Sequence, residues 1–175
     1  MKGDIKMLLT LVLAFSVLIA GIDQAIKYFV VQDLAPVKKT EVIDGLFSLV
    51  YVENKGVAFG MMQDHIWLFA VITVILIAVL LILLLSKKLT GKLFVTSVIL
   101  LIGGGIGNFI DRITRGYVVD YLSVSFFPPV CNFADYCITV GAVLLIISMI
   151  VADVSKKPSD KLKEKAAVNE DKDKD

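Results

Sequence analysis

The chain has little of what soluble enzymes use to build metal and thiol sites: one histidine, His65, and two cysteines, Cys131 and Cys137, in 175 residues. A zinc site takes about four convergent ligands, so no metal and no cofactor are expected. On one helix the two cysteines are separated by about 9 Å of rise, too far for an unstrained disulfide. They are expected to be small apolar packing residues. An excess of one charge is missing as well, since 18 Lys and Arg against 17 Asp and Glu leave a net +1. That balance hides segregation. Residues 156–175, with KLKEK and EDKDKD, hold almost no apolar side chain, so a disordered, solvated cytoplasmic tail is expected there. Acidic residues interleave its lysines, which argues against nucleic acid as a partner.

Apolar residues are in excess. They make up 57% of the chain, with a mean hydropathy of +0.82, against roughly 45–50% apolar content in soluble domains. Four stretches, residues 7–31, 65–86, 93–113 and 133–154, reach the roughly 20 residues that cross a hydrocarbon core. The expected fold is a mainly α membrane protein, with residues 1–155 forming one domain of four transmembrane helices. The N-terminus imitates a secretory signal, with Lys2 and Lys6 before an apolar run ending LIAG at Gly21. The run continues through Asp23, Gln24 and Lys27 to Val31, so an uncleaved first helix is expected. Orientation follows the Lys and Arg residues near span ends. One side carries Lys2, Lys6, Lys87, Lys88, Lys92 and the tail lysines, and the other Lys38, Lys39, Lys55 and Arg115. Both termini are therefore expected in the cytoplasm.

In that topology the embedded polar residues collect at one depth. Asp23 and Lys27 fall late in the first span, Asn108, Asp111 and Arg112 late in the third, and Asp135 early in the fourth. All are outer ends. Ionisable groups inside a membrane are costly, so their clustering marks a candidate functional site. The outer connectors are expected to form a small extracytoplasmic antiparallel β-sheet from residues 37–60 and 117–127. EVIDGLFSLVYVEN (41–54) partly alternates strand-forming residues and NKGVAFG (54–60) turns sharply. Residues 118–127 add a strand that Pro128 and Pro129 stop. Phe47, Tyr51, Phe59, Phe126 and Phe127 suit either a substrate platform or plain interfacial anchoring.

The carboxylates can be sorted by their neighbours. Asp23 has Lys27 at i+4, and Asp111 has Arg115 at i+4 with Arg112 adjacent, so both look structural. Asp120 and Asp135 have no cation at helical spacing. Two such groups brought together share a proton, the state in which one carboxylate activates water and the other polarises a carbonyl. The plainer alternative is that Asp120 caps a turn after Gly116 and Asp135 caps the fourth helix with Asn132. In GGGIGNFIDR (103–112) the glycines permit close approach of a helix or a ligand, and Asn108 and Arg112 share a face. Three roles are open to Arg112: orienting a peptide carbonyl, pinning Asp111, or meeting a lipid phosphate.

Five motifs then occur in chain order: DQxxK (Asp23, Gln24, Lys27), NxGxAF (Asn54, Gly56, Ala58, Phe59), GGxxGNxxDR (Gly104 to Arg112), GxVVD (Gly116 to Asp120) and NxAD (Asn132, Ala134, Asp135). With four spans, the chain closely resembles lipoprotein signal peptidase, the type II signal peptidase of bacteria, over residues 7–154. The resemblance implies an intramembrane aspartyl endopeptidase of the bacterial cytoplasmic membrane, with its site on the outer side. Its substrate would be a diacylglyceryl-modified prolipoprotein, cut just before the lipidated cysteine. It further implies that Asp120 and Asp135 are the catalytic dyad. Asn54, Gly56, Gly104, Asn108, Arg112 and Asn132 would line or support the substrate site, and Asp23 and Lys27 would brace it. Implied partners are the prolipoprotein, membrane lipids and inhibitors of the globomycin type. Two positions depart from the usual pattern, Cys131 in place of Phe and Tyr136 in place of Ser.

Two other classes compete. A small proton-coupled transporter would use the same carboxylates as a relay, but the polar residues stop halfway across. A scaffold whose glycine-rich helix binds a partner helix would tolerate substitution of both aspartates.

Overall fold

The computed structural model describes residues 2–56, 66–86 and 91–172. Its elements are helix α1 (Lys2–Phe29), strands β1 (Lys39–Ile43) and β2 (Phe47–Asn54), helices α2 (Ile66–Ser86) and α3 (Lys92–Arg115), strands β3 (Val118–Val124) and β4 (Phe127–Cys131), and helix α4 (Phe133–Lys172). Four helical segments are long and apolar enough to cross a membrane: Ile5–Leu34, Trp67–Ser86, Lys92–Arg115 and Phe133–Val154. Phe59 and the rest of NKGVAFG beyond Gly56 lie outside the described residues.

Composition decides where each helix sits. The span in α2 has the highest mean hydropathy, 3.5, and only 11% of it is buried, whereas the span in α3 has the lowest, 2.0, and 56% of it is buried. A helix apolar on every face is solvated by lipid. One carrying glycines and polar groups needs protein around it, and α3 packs against α1, α2 and α4. Its glycines set the approach. A Cβ on Gly104 would lie 2.6 Å from the carbonyl oxygen of Ala134, and one on Gly107 would lie 2.5 Å from Asp23 Oδ2. Gly105 has more space, its nearest neighbour being Thr73 Cγ2 at 3.4 Å. Gly104→Ala is therefore expected to cost about 1–3 kcal/mol through forced separation of α3 and α4. Gly105→Ala is expected to be neutral, or stabilising by up to about 1 kcal/mol. Thermal unfolding of the two variants in detergent checks the contrast.

The bundle is divided by polarity. Towards one end, Val12, Leu80, Leu84, Phe94, Val98, Leu101 and Ile102 form an apolar core. Towards the other, the end that carries the sheet, Asp23, Lys27, Asn108, Asp111, Asp120 and Asn132 are buried. A π-helical turn, Val30–Leu34, extends α1, with Ala35 N–H donating to the Val30 carbonyl at 3.1 Å. It ends on Leu34, which is buried against Val119 and Tyr121 of β3 and so ties the first span to the sheet.

The four strands form one antiparallel sheet in the order β1-β2-β3-β4. One expectation is corrected. Residues 118–127 are not one strand that the prolines stop: the chain reverses after Val124, and Pro128 and Pro129 lie inside β4. Their missing N–H groups are tolerated because β4 is the edge of the sheet and pairs with β3 at Leu122 with Cys131 and at Val124 with Phe127. Helix α4 runs as far as Lys172. Both cysteines are free, Cys137 buried and Cys131 partly so.

Candidate active site

Four elements converge at the sheet-bearing end. Asn54 closes β2, Asn108 lies on α3, Asp120 lies on β3, and Asn132 and Asp135 open α4. The start of α4 is a reciprocal cap. Asn132 Oδ1 accepts from Asp135 N–H at 2.9 Å, and Asp135 Oδ2 accepts from Asn132 N–H at 3.1 Å. This is the geometry of a capping box, so the capping role weighed for Asp135 is real. It also fixes the carboxylate in place. Asp120 does not cap a turn. Its Oδ1 accepts from Asn132 Nδ2 at 2.6 Å and its Oδ2 from Asn54 Nδ2 at 2.7 Å.

Asn132 therefore joins the two carboxylates, its side-chain amide donating to Asp120 while its Oδ1 and backbone N–H bond Asp135. The orientation of each asparagine follows from a group that can only donate. Gly56 N–H at 3.0 Å requires Asn54 to turn Oδ1 toward it, and Asp135 N–H requires the same of Asn132. Lys27 Nζ, 2.9 Å from Asn108 Oδ1, turns the Asn108 amide so that its Nδ2 donates to Asp135 Oδ1 at 2.8 Å. All three asparagines consequently present N–H groups to the two aspartates.

Beneath this layer lies a buried charge cluster. Lys27 Nζ is 2.9 Å from Asp23 Oδ2 and 2.9 Å from Asp111 Oδ2, and all three side chains have 0% exposure. Asp111 also accepts from Val119 N–H at 3.1 Å and pairs with Arg115 at 3.2 Å, so the end of α3 is tied to β3. Asp23 accepts from Ala134 N–H at 3.1 Å, tying α1 to α4. Arg112 takes a different course: its Nη1 donates to the Asn108 carbonyl at 3.2 Å, and its guanidinium lies over the Phe69 ring at 5.6 Å. The structure also brings in Gln24, which was absent from the candidate site residues. Its Nε2 bonds the Gly107 carbonyl at 3.0 Å and Asp111 Oδ1 at 3.3 Å. A polar amide in an apolar span beside Asp23 was the available signal. Gly104 sits below the site at the contact of α3 with α4, and Gly56 supplies only its backbone N–H.

Burial and the neighbouring Asp135 carboxylate push Asp120 up from 3.8 to about 6, against the lowering effect of its two asparagine bonds. It is thus the carboxyl that the fold inclines toward the neutral form. Among the described residues, no three His, Cys, Asp or Glu side chains converge as a metal's ligand set.

Four spanning helices enclosing a charge cluster, with paired carboxylates at one end, define a multi-pass membrane protein with a site suited to acid–base chemistry. Residues 15–151 match the family model described as signal peptidase (SPase) II, and the chain belongs to that family. A lipoprotein signal peptidase of Caldanaerobacter subterraneus subsp. tengcongensis is 43% identical over 129 residues, covering 74% of this chain and 88% of the relative. One from Streptococcus thermophilus is 41% identical over 128 residues, covering 73% and 84%. A solved structure described as a bacterial membrane enzyme superposes with a TM-score of 0.73 at 27% identity, covering 84% of this chain and 92% of that one. The resemblance carried by the five motifs is thus one of family.

Proposed function

We propose that this chain is an aspartic endopeptidase that removes signal peptides from diacylglyceryl-modified prolipoproteins, cutting before the lipidated cysteine, with Asp120 and Asp135 as the dyad. The observation that carries this assignment is the double attachment of Asn132, which holds both carboxylates at one place. Asp120, inclined toward the neutral form, donates its proton to the scissile carbonyl oxygen. Asp135 takes a proton from water as the hydroxyl attacks the carbonyl carbon. In the second half Asp135 returns that proton to the leaving amine as the C–N bond breaks, and Asp120 recovers its own from the tetrahedral intermediate. Asn54, Asn108 and Asn132 position the dyad, and Lys27 with Asp23 braces it. Arg112, beside the site, is assigned to a substrate carbonyl. Inhibitors of the globomycin type would occupy the same place.

The Lys and Arg distribution supports cytoplasmic termini and a sheet-bearing end on the outer side of the bacterial cytoplasmic membrane. A transporter would need a polar path onward, yet the opposite half has the apolar core described above, where Ser16 and Ser97 give their hydroxyls to the carbonyls of Ile99 and Phe94. The test is incubation of the purified protein with a synthetic lipidated precursor and an unlipidated control. Release of the signal peptide from the lipidated form supports the assignment; an intact precursor overturns it.

The dyad also sets a pH dependence. Because the folded value of Asp120 is raised, its protonated form is active and kcat/KM is expected to fall as pH rises through about 6. Bound substrate excludes water and favours the neutral form further, so the fall in kcat is expected at higher pH. Stability follows the same sign: the contribution is complete below 3.8 and is lost as pH rises through about 6. The difference corresponds to about 3 kcal/mol. Unfolding midpoints across this range, compared with those of Asp120→Asn, isolate it.

A further inference from the structure

Helix α2 is apolar along its length and carries no charged side chain, yet it reaches the site. It packs against α3, and Thr73 Cγ2 stands opposite Gly105, which fixes the register of the two helices. Phe69 lies one turn before Thr73 in α2, and Arg112 lies two turns after Gly105 in α3, so both fall toward the sheet-bearing end. There the Arg112 guanidinium carbon is 5.6 Å from the centre of the half-buried Phe69 ring, inside the roughly 6 Å reach of a cation–π contact. An aromatic face is the means by which a helix without charge can hold a cation.

The ring has competitors close by. Asp135, Asp120 and Asp111 are the carboxylates whose fields reach Arg112, Asp135 most strongly. A carboxylate offers about four lone-pair sites. Asp135 accepts two bonds, from Asn108 Nδ2 and the Asn132 backbone N–H, so it has room for a guanidinium, and arginine and carboxylate form strong two-pronged pairs. Arg112 nonetheless enters none of the described ion pairs at the site, which join Lys27 to Asp23 and Asp111, and Arg115 to Asp111. Among the described residues its hydrogen bond goes to the Asn108 carbonyl of its own helix at 3.2 Å, and most of its five N–H groups stay uncommitted.

Resting on the peptidase assignment, in which Arg112 meets a substrate carbonyl, we infer that Phe69 is a positioning residue whose ring holds the Arg112 guanidinium off Asp135. The base then keeps its lone pairs for water, and the arginine keeps its N–H groups for the substrate. Apolar bulk alone would not do this. Without the negative face of the ring, the attraction left to the guanidinium from outside its own helix is that of the dyad, and a pair with Asp135 would occupy both partners at once.

The test replaces Phe69 with phenylalanines carrying one, three and five ring fluorines, introduced by nonsense suppression. Fluorine withdraws the negative charge from the ring face with little change of shape, so packing is kept while the attraction for a cation is removed in steps. With each step kcat/KM for a synthetic lipidated precursor is expected to fall, reaching about a tenth of the wild-type value at five fluorines, while the thermal midpoint in detergent stays nearly constant. Phe69→Leu, which keeps apolar bulk without a face, is expected to lose as much as the fully fluorinated ring. Phe69→Tyr restores the face and is expected to recover kcat/KM to within about twofold of wild type. A flat fluorine series, or a leucine variant as active as the tyrosine one, overturns the inference while the peptidase assignment stands. A wild-type protein that leaves the precursor intact overturns the peptidase assignment, and the inference falls with it.

Discussion

Asp120→Asn and Asp135→Asn are each expected to reduce cleavage of a lipidated precursor by about 10³-fold or more, the scale of a lost general acid or base, while the bundle stays folded. The geometry explains why the fold survives. Each carboxylate accepts two bonds from N–H groups, Asp120 from Asn54 and Asn132, and Asp135 from Asn108 and the Asn132 backbone. An asparagine keeps the shape but turns one N–H toward a donor, at a cost of about 1–3 kcal/mol. At Asp120 the removal of a buried charge beside Asp135 offsets part of that cost. Turnover assays paired with thermal unfolding and gel filtration in detergent separate lost chemistry from lost structure. Full activity in both variants would remove these aspartates from the mechanism.

The largest effect on stability is expected from Lys27→Met. The ammonium holds Asp23, Asp111 and Asn108 at 2.9 Å each in a fully buried setting. Removing one partner of a buried ion pair costs about 3–5 kcal/mol because a charge is left uncompensated, and here two carboxylates lose it together. Asp111 keeps Arg115, whereas Asp23 keeps only N–H donors among the partners described, Ala134 and Gln24. Adding Asp23→Asn to Lys27→Met is therefore expected to restore about half of the lost stability. Activity should not return with it. Without Lys27 the Asn108 Oδ1 keeps only the longer bond from Asn132 Nδ2, at 3.2 Å, so the amide that donates to Asp135 is held less firmly. Denaturant unfolding and kcat of the single and double variants check both halves.

Much of the candidate site is legible in the chain because the relevant signals are local. Asp23 and Lys27, or Asp111 and Arg115, are neighbours on a helix surface, and their pairing is found as the spacing predicts. The apolar spans are similarly local, since length and composition decide whether a helix suits lipid. What local spacing could not supply was that Lys27 serves Asp111 and Asn108 as well as Asp23. Those contacts exist because α1 and α3 pack closely at Gly107. Nor did the prolines in residues 127–131 reveal a strand, because whether a strand tolerates proline depends on its being at the edge of a sheet.

By itself, the sequence determined a four-span protein with its costly groups gathered at one end, through hydrophobic length and helical period, and five motifs indicated its family. Only the tertiary structure decided which atoms those groups present to one another. It made Asn132 the joint between Asp120 and Asp135, used obligate donors to turn three amides, and laid the Phe69 ring against Arg112. The physical reason is that span formation is a property of consecutive residues, whereas hydrogen-bond direction and ring placement are set by elements distant in the chain meeting at fixed positions.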